Sequence, residues 1–86
     1  MEKYEGLVVK SRAGRDKGQL YLVIKTDGEF VYVANGDTRK VEIPKKKKLK
    51  HIQKTSYYAH NIRERLLAGG LVENHEMRKA LAEYLK

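Results

Sequence analysis

Three cations and two glycines share one short stretch of this chain: Arg12, Arg15 and Lys17 stand beside Gly14 and Gly18. Glycine takes φ > 0 without steric cost and lets the backbone approach another molecule, while guanidinium and ammonium groups attract anions. The chemistry this combination favours is phosphate recognition by side-chain cations and exposed backbone N–H groups, which positions a nucleic acid without reading its bases. A solvated hairpin tip has the same composition, with its glycines required only by the turn. A second cationic stretch comprises Arg39, Lys40, Lys45, Lys46, Lys47, Lys48, Lys50 and His51. A lysine run is commonly a solvated tail. Here Pro44 and the apolar Leu49 and Ile52 bracket the run, which argues for its attachment to the folded body.

Other chemistries find less support. His51, His60 and His75 are far apart, with no carboxylate or cysteine at ligand spacing, so no metal site is expected. Gly14-Arg-Asp-Lys-Gly18 lacks the strand–loop–helix setting and the Lys-Ser/Thr ending of a nucleotide-binding loop, and no catalytic triad or carboxylate pair stands out. The expectation is a protein that is not an enzyme and uses no cofactor. Tyr57 and Tyr58 adjoin the basic stretch and are candidates for base stacking, with core packing as the commoner role of such tyrosines. Tyr21, Phe30 and Tyr32 are assigned to the barrel or a helix interface.

Eighty-six residues make one domain with a small core. A net charge of +8 directs attention to polyanions, nucleic acid first and an anionic membrane surface second. No cysteine is present, which excludes disulfides and fits a reducing compartment. No apolar run approaches the roughly 18 residues of a membrane span, and the first residues lack the apolar stretch of a secretion signal. A cytoplasmic location is expected.

The elements that must carry these cations follow from hydrophobic patterning. Gly6–Lys10, Leu20–Lys25 and Phe30–Ala34 read as strands, the last two joined by a tight turn at Asp27-Gly28. Apolar residues occupy both faces of the second and third strands. One face should fill a core and something should cover part of the other. Asn35-Gly36 is the strongest hairpin signal and predicts that Arg39–Ile43 folds back on the third strand, closed by Pro44. A two-residue turn would set Phe30 against Val41 and Tyr32 against Arg39, and a longer loop would change that register. Leu49 and Ile52 could anchor a short last strand or a single turn. Four or five short strands in about fifty residues suggest a small closed barrel.

Beyond Thr55 the period becomes helical. Thr55 or Ser56 is expected to cap a helix from Tyr57 or Tyr58 to Ala68, with Tyr58, Ile62 and Leu66 on one face and Gly69-Gly70 as the stop. Asn74 is the expected N-cap of a second helix bearing Met77, Ala80, Leu81, Tyr84 and Leu85, and the two apolar stripes are candidates to cover the sheet's second face. Charge divides at the same place. Residues 1–54 hold 14 Lys plus Arg against 7 Asp plus Glu, a net of +7, whereas residues 55–86 hold 5 against 4, a net of +1. The polyanion surface therefore belongs to the strands, with the helices in support.

Gly6-Leu-Val-Val, then Ala13-Gly-Arg-Asp-Lys-Gly-Gln, then Leu-Val-Ile resembles the KOW motif, a strand–loop–strand unit of ribosomal proteins and transcription elongation factors. Arg39-Lys-Val-Glu-Ile-Pro-Lys-Lys-Lys-Lys-Leu-Lys-His-Ile resembles the corresponding stretch of the large-subunit ribosomal protein family called fourteen-e and its short bacterial relatives. The resemblance spans Gly6–Ile52. Tyr21 stands where many KOW motifs carry glycine, which places the likeness with the ribosomal subgroup. It implies an SH3-like barrel, assigned to residues 1–54; with the helical hairpin that periodicity gives over 55–86, the expected fold is mainly β with C-terminal helices. The resemblance also implies RNA binding, association with the large ribosomal subunit or its assembly, and no catalysis.

The expected function is therefore a ribosome-associated RNA-binding protein, monomeric when free, that contacts structured RNA through phosphate and shape. Its expected contact residues are Arg12, Gly14, Arg15, Lys17, Gly18, Arg39, Lys40, Lys45, Lys46, Lys47, Lys48, Lys50 and His51. Ribosomal RNA is the expected partner, ribosomal proteins a second class, and no membrane is involved. The competing reading is a protein–protein adaptor of a translation or transcription complex.

Overall fold

The computed structural model describes residues 2–86. Five strands form one antiparallel sheet: β1 (Leu7–Ser11), β2 (Leu20–Asp27), β3 (Phe30–Ala34), β4 (Lys45–Lys48) and β5 (Ile52–Tyr58). Their order is β4-β3-β2-β1-β5, with a single 3-10 turn, Leu49–His51, leading from β4 into β5. Two helices follow, α1 (His60–Leu67) and α2 (Asn74–Tyr84). None is long and apolar enough to cross a membrane among the described residues.

Alternation along the strands separates two apolar clusters, because successive side chains point to opposite faces. Leu7, Val9, Tyr21, Val23, Val31, Val33 and Ile52 pack on one side with Tyr4. Val8, Leu22 and Ala34 pack on the other, under Ile62 of α1, Val72, and Met77 and Leu81 of α2. The helices thus cover the second apolar face, as the two-sided patterning of β2 and β3 predicts. Two glycines make this approach possible. A Cβ on Gly6 would lie 2.7 Å from Arg63 Cβ, and one on Gly36 would lie 2.2 Å from the Asn74 carbonyl oxygen. Both also have positive φ, 85° and 76°, a region that side chains disfavour.

The Arg39–Ile43 expectation is overturned. Those residues form no strand, and β3 pairs instead with the lysine run: Phe30 opposite Lys48, Val31 opposite Lys47, Tyr32 opposite Lys46 and Val33 opposite Lys45. The reason lies in Asn35, which does not open a two-residue turn. Its Oδ1 accepts from the Asp37 and Arg39 amides at 2.9 Å, and its Nδ2 donates to Thr38 Oγ1. The Asn35 and Gly36 amides both donate to the Arg39 carbonyl, closing a compact loop. Val41 N–H then donates to Asn74 Oδ1 on α2, which draws the following residues toward the helix and away from β3. Pro44 consequently precedes a strand instead of ending one, a place where no ladder donor is needed.

The helix starts also differ from expectation. Thr55, Ser56, Tyr57 and Tyr58 extend β5, and the Thr55 hydroxyl donates to the Val8 carbonyl at 2.6 Å instead of capping a helix. The helical part therefore begins at His60, five residues beyond the expected division at 55. Glu73, not Asn74, caps α2: its side chain accepts from the Glu76 amide while Glu76 reaches back to the Glu73 amide. This reciprocal box satisfies two otherwise orphaned donors. It frees the Asn74 side chain to bridge Val41 and Glu42.

Candidate nucleic-acid interface

The site is built outward from one carboxylate. Asp16 lies at the centre of the glycine-bearing loop between β1 and β2, and all four of its lone-pair positions face donors. Oδ1 accepts from Ser11 Oγ at 2.9 Å and Lys47 Nζ at 3.0 Å; Oδ2 accepts from the Tyr21 hydroxyl at 2.7 Å and Lys45 Nζ at 3.2 Å. Lys47 is only 9% exposed, and its ammonium completes its three donor positions on Asp16, Ser11 Oγ at 2.9 Å and the Ala13 carbonyl at 3.2 Å. A buried charge is tolerated only when so paired.

Protonation follows this geometry. Burial pushes the Asp16 carboxyl up, but hydrogen bonds from Tyr21, Lys47, Ser11 and Lys45 outweigh it and hold the group well below the usual carboxylate range. Burial, together with the hydrogen bond to Asp16 and its charge, raises the Tyr21 phenol, against a smaller opposing effect of the Arg39 charge. Both groups keep their bonding states throughout the neutral range.

With Asp16 tied inward, the remaining cations of the loop face solvent. Arg12, Arg15 and Lys17 are exposed, and Gly14 and Gly18 turn the chain with φ of 87° and 92°. Backbone bonds from Lys17 to Gly14, Gly18 to Ser11 and Gln19 to Asp16 hold the turn. The Arg12 amide donates to the His51 carbonyl at 2.8 Å, so the loop meets the end of the second cationic stretch. Lys50 and His51 are exposed there.

Strand alternation then divides the lysine run. Lys45 and Lys47 point toward Asp16, whereas Lys46 and Lys48 lie on the opposite face with Phe30 and Tyr32, the residues paired with them on β3. Lys47 is thereby removed from the solvent surface, and Lys45 is half-buried. Arg39 is half-buried and bonds the Ile43 carbonyl, while Lys40 is exposed beyond the Asn35 loop. The structure thus brings the loop cations beside Lys45 and His51, and sets Lys46 and Lys48 on the other side of the same strand, where Lys50 joins Lys48 and Phe30 around one pocket.

Sequence reasoning missed Asp16, Ser11 and Tyr21 as the fasteners of the loop, and Lys25, Phe30 and Tyr32 as surface residues. Reading Lys45–Lys48 as a strand would have revealed the split, since a period of two sends alternate lysines inward. Tyr57 packs edge-to-face on Tyr84 at 5.4 Å, and Arg63 lies over the Tyr58 ring at 4.5 Å. Both tyrosines proposed for stacking therefore have intramolecular partners. Among the described residues no three His, Asp or Glu side chains gather where they could hold a metal ion. Neither the protein-family models nor the curated proteins contain a match to this chain.

Proposed function

We propose that this chain is a ribosome-associated RNA-binding protein whose sheet curls into an SH3-like barrel of the KOW type and contacts structured RNA through phosphate and shape. The observation that carries the reading is the docking of the Arg12–Lys17 loop onto the lysine strand through Asp16. One acidic side chain absorbs Lys45 and Lys47 and fixes the backbone, leaving Arg12, Arg15 and Lys17 as outward charges on a rigid support. Preformed cations lose less conformational freedom when they meet a phosphate than cations on a mobile tail. His51 continues the basic surface from the loop, Lys46, Lys48 and Lys50 form a second basic group around Phe30 on the other face of β4, and Lys47 serves the scaffold. The resemblance to the ribosomal KOW proteins selects RNA among polyanions, with ribosomal RNA as its natural source.

A second reading, a protein–protein adaptor, draws on exposed apolar side chains. Leu71 is 89% exposed, Leu85 69% and Ile43 68%.

Co-sedimentation with ribosomal particles over a salt series, followed by crosslinking, tests the proposal. About five neutralised phosphates give a log–log salt slope of about −4. Replacing Arg12, Arg15 and Lys17 together by Ala is expected to weaken association several-fold and flatten that slope, with thermal stability nearly unchanged. Unaltered association would remove the loop from the interface. A nearly salt-independent association lost on Leu71→Ser would favour the adaptor.

A further inference from the structure

We propose that the outer face of β3 and β4 is a stacking platform for unpaired RNA bases, built from Phe30 and Tyr32 with Lys25, Lys46 and Lys48. The proposal rests on the RNA-binding reading and adds to it a class of ligand: single-stranded or splayed-out nucleotides beside the structured RNA. Phe30 and Tyr32 alternate with the buried Val31 and Val33, so their rings stand on the face opposite the Tyr4–Ile52 core. Neither belongs to that core or to the cluster beneath the helices, and both are partly exposed.

The rings are dressed with cations. Lys46 Nζ lies 4.3 Å from the centre of the Phe30 ring and Lys25 Nζ lies 5.9 Å from that of Tyr32. Lys48 faces Phe30 across the strand pair, and a pocket of about 340 Å³ opens beside it, lined by Glu29, Phe30, Lys48, Leu49 and Lys50. At an exposed site an ammonium holds a ring face only weakly. An incoming base can displace it, and the freed lysine can then swing to the phosphate of the same nucleotide. A ligand suited to this surface must alternate flat apolar faces with regularly spaced negative charge, which describes a nucleic-acid single strand.

Spacing narrows the class further. Residues two apart on a strand are separated by about 6.7 Å, roughly twice the 3.4 Å rise between stacked bases. The two rings therefore suit bases already separated from one another, not a continuous stack or a duplex. Asp27 stands opposite Phe30 on β2, and Glu29 borders the pocket. Their charge repels phosphate, so the backbone is directed over Lys46, Lys48 and Lys50 on the β4 side.

The test compares an unstructured oligoadenylate with an RNA hairpin of equal phosphate number, paired except for a compact tetraloop whose bases stack on one another, using the full chain. Phe30→Leu with Tyr32→Leu is expected to weaken oligoadenylate binding roughly tenfold while leaving the hairpin affinity within about twofold. The chain has no tryptophan, so Tyr32→Trp places a single indole on the platform. This variant is expected to retain oligoadenylate binding and to lose fluorescence as the base stacks. Equal weakening for both RNAs, no weakening for either, or an unquenched indole at saturation overturns the platform. Salt-sensitive hairpin binding that persists in those cases leaves the RNA-binding reading standing, whereas failure of the wild-type chain to bind either RNA removes both.

Discussion

Lys47 Nζ lies 3.0 Å from Asp16 Oδ1, and this pair joins the glycine loop to a strand thirty-one positions later in the chain. Both side chains are largely buried, at 8% and 13% exposure, so the contact is insulated from the solvent screening that weakens surface ion pairs. It converts one lysine of a basic run into a structural fastener. The same contact holds the neighbouring arginines and lysine outward.

Asp16→Ala is expected to destabilise the fold by about 3–5 kcal/mol, because it strands the Lys47 ammonium in a buried position. Adding Lys47→Met to that variant removes the stranded charge and should restore part of the loss. Urea denaturation of the single and double variants measures this. A double variant less stable than Asp16→Ala alone would show that Lys47 is not held chiefly by Asp16.

Tyr21→Phe deletes a 2.7 Å bond to the same carboxylate while keeping the ring among its apolar neighbours. A hydrogen bond to a charged acceptor is worth about 1.5–3 kcal/mol. The variant should lose that amount in urea denaturation, with the folded far-ultraviolet circular dichroism spectrum retained.

The pH dependence of stability has two edges from this cluster. Asp16 is depressed by folding, so its contribution is fully present above the unfolded value near 3.9 and is lost as pH falls below it. Tyr21 is raised by folding and bonds as the neutral phenol, so its contribution is present below about pH 10 and is lost as pH rises beyond that. Denaturation midpoints across pH should show a shoulder above pH 10 that disappears in Tyr21→Phe. An unchanged alkaline limb in that variant would contradict the assignment.

Gly36→Ala should be far more damaging than Gly28→Ala, although both glycines have positive φ. Gly28 has open space around a built Cβ, so alanine there meets only backbone strain of about 1–2 kcal/mol. At Gly36 the added carbon collides with the Asn74 carbonyl, and overpacking adds about 1–3 kcal/mol. Thermal unfolding of the two variants provides the comparison, and equal losses would mean that α2 does not need its close approach to Gly36.

Leu22 is fully buried between the sheet and the helices. Leu22→Ala should cost about 2–5 kcal/mol through lost transfer energy and a residual cavity. A near-neutral result would mean that the helix-covered face contributes little to stability.

Much of this was legible in the residues themselves. Alternating valines and leucines marked the first three strands, and the helical stripes of Ile62, Leu66, Met77 and Leu81 announced elements able to cover the sheet. These are local signals, since apolar period alone separates strand from helix and identifies faces to be buried. The turn at Asn35 misled because its side chain stapled a longer loop than the Asn-Gly pair suggests. Thr55–Tyr58 misled because pairing with β1 outweighed the propensity of a Thr-Ser pair to start a helix.

The sequence alone established a small basic strand-rich chain with its charge concentrated before residue 55, glycines among the cations, and two amphipathic helices to follow. Tertiary structure alone decided what each cation does. Lys45, Lys46, Lys47 and Lys48 are chemically identical neighbours, and only the register against β3 determines which of them turns toward Asp16 and which joins Phe30 and Tyr32. That register is fixed by hydrogen bonds and packing between segments distant in the chain, where a shift of one residue would exchange the two faces.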